Sequence, residues 1–136
     1  MPKLESLGSK QRKMLEDWPC PEFTETPWTA MNKPLYDCRV ALVTTAGLHV
    51  RGDKPFISAK GGGDTSYRVI PRSTTASEIV QSHTSIGFDR TMTFRDLNVT
   101  FPIDRLQELV EQGKIGSLSD NYYSYMGALS NVTGLL

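Results

Sequence analysis

Only two histidines occur in this chain of 136 residues, and each stands a few positions from an acid and a base. His49 lies in GLHVRGD, followed closely by Arg51 and Asp53. His83 lies in SHTSIGFDR, followed by Asp89 and Arg90. Imidazole ordinarily titrates near neutral pH, so a histidine beside a carboxylate suits proton transfer. If both loops meet at one sheet edge, His49, His83, Asp53 and Asp89 form an acid–base cluster. The competing reading has each histidine bonding a local backbone carbonyl. The same side chains can ligate metals, but none has an HExxH-like spacing, and no metal is expected. Guanidinium groups at Arg51, Arg68 and Arg90, with Arg72 nearby, match a carboxylate with a planar pair of donors. They are the candidates for binding an amino-acid-like substrate. For any one of them the competing role is surface charge or internal ion pairing.

Strands and turns must place these groups. Val40–Val43 is an unbroken apolar run, as in a strand covered on both faces. Thr44, Thr45, Ala46 and Gly47 follow, all small, and Gly52 allows a tight bend further on. Open α/β sheets bind ligands beyond the carboxyl ends of their strands, so this exit is the expected site. The strand is read as Arg39–Thr45. A long loop then runs from Gly47 to about Thr65 and contains Gly61, Gly62 and Gly63. Without a GxxxxGK[ST] pattern the triple glycine reads as a flexible tip, not a phosphate loop.

Tyr67–Ile70 reads as a short strand ended by Pro71, and Glu78–His83 as a strand or a brief helix. Val99–Phe101 is β-prone and leads into a helix over Pro102–Gln112. In that helix Ile103, Leu106, Leu109 and Val110 mark one face and Gly113 supplies the stop. Ile115–Leu118 and Tyr122–Met126 are strand-like. The order predicts an α/β layered domain with a mostly parallel sheet over residues 39–136. Residues 1–38 read as an irregular, Pro-rich arm with a short helix in 3–17 that Gly8 weakens. Pro19, Pro21, Pro27 and Pro34 exclude regular structure from its second part, where Trp18, Phe23 and Trp28 are expected to bury their rings.

Fifteen basic residues balance fifteen acidic ones, which removes a global electrostatic case for nucleic acid or anionic membranes. No apolar run approaches the ~20 residues of a membrane span. The start, MPKLESLGSKQRK, lacks the apolar core of a secretory signal, so the cytoplasm is the expected location. The two cysteines, Cys20 and Cys38, fit no CxxC or zinc spacing. The tyrosines of NYYSYMG read as core and interface.

Several ordered blocks carry a resemblance. VALVTTAGLHVRGDKPF, YRVIPRSTTASEIVQSH, FDR, DLNVTFPIDRLQELVEQGKIGSL and YYSYMGA, with PWT at Pro27–Thr29 before them, together resemble the selenoprotein B family of glycine, sarcosine, betaine and D-proline reductases. The resemblance implies a component that cleaves a C–N bond reductively with a dithiol/disulfide couple. It also implies a pyruvoyl group on a partner subunit, and an attacking selenocysteine or cysteine beyond the YYSYMGA block. This chain has no cysteine after Cys38, so the redox centre is expected downstream or on another chain, and the domain is expected to be incomplete at its C-terminus. An isolated half sheet would leave an unpaired edge and an apolar face, so an oligomer is expected. A non-catalytic interaction module of such a complex, or a racemase-like acid–base enzyme, are the alternative readings.

Overall fold

The computed structural model describes residues 3–18, 22, 24–57, 63–85, 87–129 and 132–135. It divides into two units, Met1–Met31 and Asn32–Leu136. The first unit carries helix α1 (Ser9–Glu16). Gly8, read from sequence as a weak point, is its N-cap in extended conformation, a position that tolerates glycine well. Trp18 and Trp28, expected to bury their rings, are instead 44% and 85% exposed. Pro19, Cys20, Pro21 and Phe23 lie outside the described residues, as do Gly61 and Gly62 of the triple glycine.

The second unit has the mixed α/β content that the element order predicts. Its strands are β1 (Arg39–Val40), β2 (Val43–Thr44), β3 (Leu48–Val50), β4 (Arg68–Pro71), β5 (Ile79–Gln81), β6 (Ser117–Leu118) and β7 (Asn121–Ser124). Its helices are α2 (Arg90–Arg95) and α3 (Ile103–Glu111). Parallel pairings join β1 to β6 and β2 to β7. Antiparallel pairings join β4 to β7 and β3 to β5.

β1 and β2 form one nearly continuous track. The carbonyls of Cys38, Val40, Leu42 and Thr44 accept from the amides of Ser117, Ser119, Tyr123 and Tyr125 at 2.8–3.1 Å. Arg39 pairs with Ser117 but Val43 with Tyr123, so the partner track carries two extra residues between the Val40–Leu118 and Val43–Tyr123 pairs. That excess makes a local bulge and divides the track. The strand is not covered on both faces as expected. Ala41, Val43 and Thr45 are exposed, while Thr44 and Ala46 are buried. Alternation of this kind marks a strand with one open face.

The core lies on the other face. Leu48, Ile70, Phe101, Ile115, Leu118 and Tyr122 are buried together, and Leu106, Leu109 and Val110 of α3 pack against them. The Phe101 ring meets the Tyr122 ring edge-on at 5.6 Å, an arrangement aromatic quadrupoles favour. α3 ends as predicted. Gly113 has φ +66°, its amide donates to Val110, and the Lys114 amide donates to Leu109. These are the paired bonds of a Schellman stop.

Val99–Phe101 is not a strand. Leu97–Val99 forms a 3₁₀ turn whose start is capped by the Asp96 carboxylate on the Asn98 amide. An aspartate placed to bond its own backbone overrides the β propensity of Val99. Leu48–Val50, read as loop, is a strand. Gly47 takes φ +65° and turns the chain into it. The Leu48 amide then donates to the fully buried Ser124 hydroxyl at 2.8 Å. The Thr44 hydroxyl donates to the Thr100 carbonyl at 2.8 Å. The small residues after β2 therefore serve a close chain crossing.

Two glycine substitutions separate strain from collision. In Gly113→Ala the new Cβ meets nothing, and the left-handed backbone alone costs about 1 kcal/mol. In Gly47→Ala the Cβ also lies 3.1 Å from the His83 backbone, so the loss exceeds that of Gly113→Ala. Urea unfolding of the two variants should preserve that order.

Candidate functional site

Both histidine-bearing segments come from one antiparallel ladder. His49 pairs with Val80 in the β3–β5 register, and the Ser82 amide donates to Gly47 beyond it. Gly47 lets the His83 backbone pass close by, because any Cβ there would crowd it. The backbones are thus brought together. His83 lies two residues past the end of this ladder, and no hydrogen bond joins the two imidazoles among the described residues.

Each imidazole is buried and has local partners. His49 is 5% exposed, its Nδ1 lies 3.0 Å from the Val50 carbonyl, and its Nε2 has no partner among the described residues. His83 stacks on Phe88 with ring centroids 4.2 Å apart. Its Nδ1 accepts from the Ser85 amide at 3.2 Å, which leaves the proton on Nε2. Burial, and then the nearby Arg90 charge, push its pKa below the ordinary value, so the ring is neutral at pH 7.

Asp53 follows β3 in an exposed turn, its amide bonded to Val50. Asp89 is the N-cap of α2, accepting from the Thr91 amide at 2.9 Å and hydroxyl at 2.6 Å. Those bonds hold its carboxyl below the usual range. Among the described residues, no hydrogen bond links either imidazole to Asp53 or Asp89.

The arginines hold backbone. Arg51 donates to the Ser77 carbonyl at 3.3 Å, and Arg90 donates to the His83 carbonyl. Arg68 ties together the two ends of the segment between β3 and β4. It donates to Lys54 at 2.7 Å, Ser66 at 2.7 Å and Asp64 at 3.1 Å, and its guanidinium lies 4.3 Å from the centre of the buried Phe56 ring. Burial would raise the Asp64 pKa. Hydrogen bonds from Ser66 and the Arg68 charge outweigh that and hold it low. Arg68 therefore anchors both ends of the segment, one through the Lys54 carbonyl and the other through its ion pair with Asp64, whose side chains are 11% and 10% exposed.

A cleft lies elsewhere. About 310 Å³ opens between the end of β4, Leu118 of β6, Tyr122 of β7 and the first turns of α3. Arg72, Thr74 and Gln107 are among its polar lining. A second cleft of about 230 Å³ shares Ala76, Ile79 and Leu97 with it and reaches Gln81 and Thr93. Sequence reading weighed Arg72 but passed over Tyr122 as core. The signal for that residue is a polar atom on a buried ring, and only contacts reveal that it is unmatched. Among the described residues no group of three or more His, Cys, Asp or Glu side chains is placed to hold a metal. No described helix is long and apolar enough to cross a membrane.

The family profile described as glycine/sarcosine/betaine reductase selenoprotein B matches residues 8–134. The chain is 40% identical over 100 residues to the D-proline reductase subunit gamma of Acetoanaerobium sticklandii, covering 74% of this chain and 39% of that one. It is 30% identical over 121 residues to the glycine reductase complex component B subunit gamma of Carboxydothermus hydrogenoformans, covering 87% and 27%. It is 29% identical over 122 residues to the sarcosine reductase complex component B subunit beta of Peptoclostridium acidaminophilum, covering 88% and 28%. The chain thus spans well under half the length of these relatives. No solved structure matches it significantly.

Two measurements follow from this geometry. Arg68→Ala strands the part-buried Asp64 and should cost about 3 kcal/mol in chemical denaturation. His83 binds a proton less readily folded than unfolded, so its contribution is present above pH 6.5 and is lost as pH falls below that value. Stability measured from pH 7.5 downward should therefore decline less steeply in His83→Gln.

Proposed function

Because the chain belongs to the glycine/sarcosine/betaine reductase selenoprotein B family, we propose that it is a component of a complex that reductively cleaves a C–N bond in an amino-acid-like substrate. The match over residues 8–134 carries the reading. In the proposed reaction a selenolate or thiolate attacks the substrate carbon, and the amine leaves with a proton. A second thiol then resolves the adduct, so that a dithiol ends as a disulfide and the substrate gains two electrons. The attacking group must be ionised and must also exchange readily with thiol.

This chain contributes a wall of the pocket in that proposal. Cys38 is half-buried, with its Sγ 3.4 Å from the Pro34 carbonyl, and the only other cysteine is Cys20. We therefore assign the attacking sulfur or selenium to polypeptide outside these 136 residues. The pyruvoyl group that activates the amine is assigned to a partner subunit, and the assembly is taken to be oligomeric and cytoplasmic. His83 is the proposed proton donor to the leaving amine; it serves only as the imidazolium, so it must first take up a proton that burial and the Arg90 charge disfavour. Local movement has to uncover it, since it is 4% exposed.

A non-catalytic module within the same complex is the second reading. One observation favours it: Val43, Tyr67 and Val69, on or beside strands β2 and β4, are 60%, 53% and 39% exposed. Apolar area of that kind marks a surface meant to be covered.

Reconstitution tests both. With a pyruvoyl-bearing partner, the rest of the family polypeptide, a dithiol and a candidate amino acid, the chain should be required for amine release. His83→Gln should slow that release by about 100-fold if it supplies the proton. An unchanged rate in a stably folded His83→Gln complex removes the acid–base role. Co-sedimentation with the partner but no dependence of the rate on this chain favours the scaffold.

A further inference from the structure

A residue that lines the cleft beside α3 carries an unmatched hydrogen-bond donor. Tyr122 is 1% exposed, it is among the residues lining the cleft, and its hydroxyl has no partner among the described residues. Buried hydroxyls without partners are uncommon because each forfeits its bonds to water. Burial keeps this one protonated, with its pKa above the phenol value of 10, while Arg72 pulls the other way and Asp120 adds to the rise. It is a donor throughout the physiological range.

Arg72 stands at the same cleft. Its backbone amide is fixed to the Asp120 carbonyl at 2.8 Å. Its guanidinium makes one long contact, 3.5 Å from Nη1 to the Leu118 carbonyl. Unlike Arg68, it keeps most of its fork without a protein acceptor among the described residues. The remaining wall is largely apolar, with Ile70, Leu97, Phe101, Ile103 and Leu118. A volume of about 310 Å³ is at the small end of ligand pockets.

We propose that this cleft binds a small monocarboxylate with a short apolar tail, one oxygen on the Tyr122 hydroxyl and the other facing Arg72. A planar carboxylate matches a guanidinium fork, and the tail lies against the aliphatic wall. Two acids set the charge limit. Asp104 also lines the cleft, held by Asn98 Nδ2 at 2.8 Å, and Asp120 lies close enough to act on Tyr122. Both disfavour a dianion, so phosphate is the wrong ligand. The Tyr122 hydroxyl is covered, so the carboxylate reaches it by displacing side chains. The site stands apart from the role in the reductase complex and does not depend on it.

Titration of the full chain with butyrate, followed by amide and methyl NMR shifts, tests the proposal, with butyramide and inorganic phosphate as the controls. Butyrate should give saturable shifts confined to residues of β4, β7 and α3, and neither control should. Tyr122→Phe removes an unmatched hydroxyl, so it should fold at least as stably as the parent and bind butyrate about tenfold more weakly. Arg72→Gln should weaken binding by at least as much. Equal shifts with butyramide, no saturable shift with butyrate, or unchanged affinity in both variants would overturn it.

Discussion

The parallel backbone track between residues 38–44 and 117–125 is the constraint on which the second unit rests. Four carbonyls on one side meet four amides on the other, across a sequence separation of nearly eighty residues. Everything between must return the chain to that ladder. Closing so long a loop costs only slowly more entropy than closing a shorter one. The return is secured by α3 and Phe101, which seat their apolar faces on Tyr122 and Leu118 of the partner track. The two-residue excess falls between Ser119 and Tyr123, next to the cleft that Arg72 and Tyr122 line.

Most polar groups singled out in this domain already have protein partners, and that governs what remains for chemistry. Arg68 is saturated by Asp64, Ser66 and three carbonyls, Asp89 by its own helix, and Thr44 and Ser124 by a chain crossing. A charge or hydroxyl so engaged cannot meet a substrate without breaking structure. The exceptions carry the functional interest: His49 Nε2, the Tyr122 hydroxyl, Gln81 Oε1 and Thr93 Oγ1. Three of these four belong to residues that line the adjoining clefts.

Membership of the selenoprotein B family sets these features in a larger assembly. The chain matches under two fifths of its longer relatives. An open apolar sheet face and a cleft with unmatched donors are compatible with a unit that meets further polypeptide. In the proposed division of labour this unit shapes a pocket and the electron transfer occurs on other residues.

The mixed α/β class, α3 with its Gly113 stop, and the family itself were legible from the residues alone. Periodic apolar spacing, a positive-φ glycine and ordered sequence blocks are local signals. Strand β3 was hidden because three residues carry too short a period. The Leu97–Val99 turn was hidden because an aspartate cap competes with β propensity. The titratable residues were easy to find by type, yet type does not say which bonds they make: His83 is held by Ser85 and Phe88, Asp89 by Thr91, and Arg51 by Ser77. Only the tertiary structure turned Arg68 into a loop anchor, Asp89 into a helix cap, and Tyr122 from a core ring into an unsatisfied donor. Residue type sets what a side chain can do, and long-range packing determines which of its hydrogen bonds are already taken.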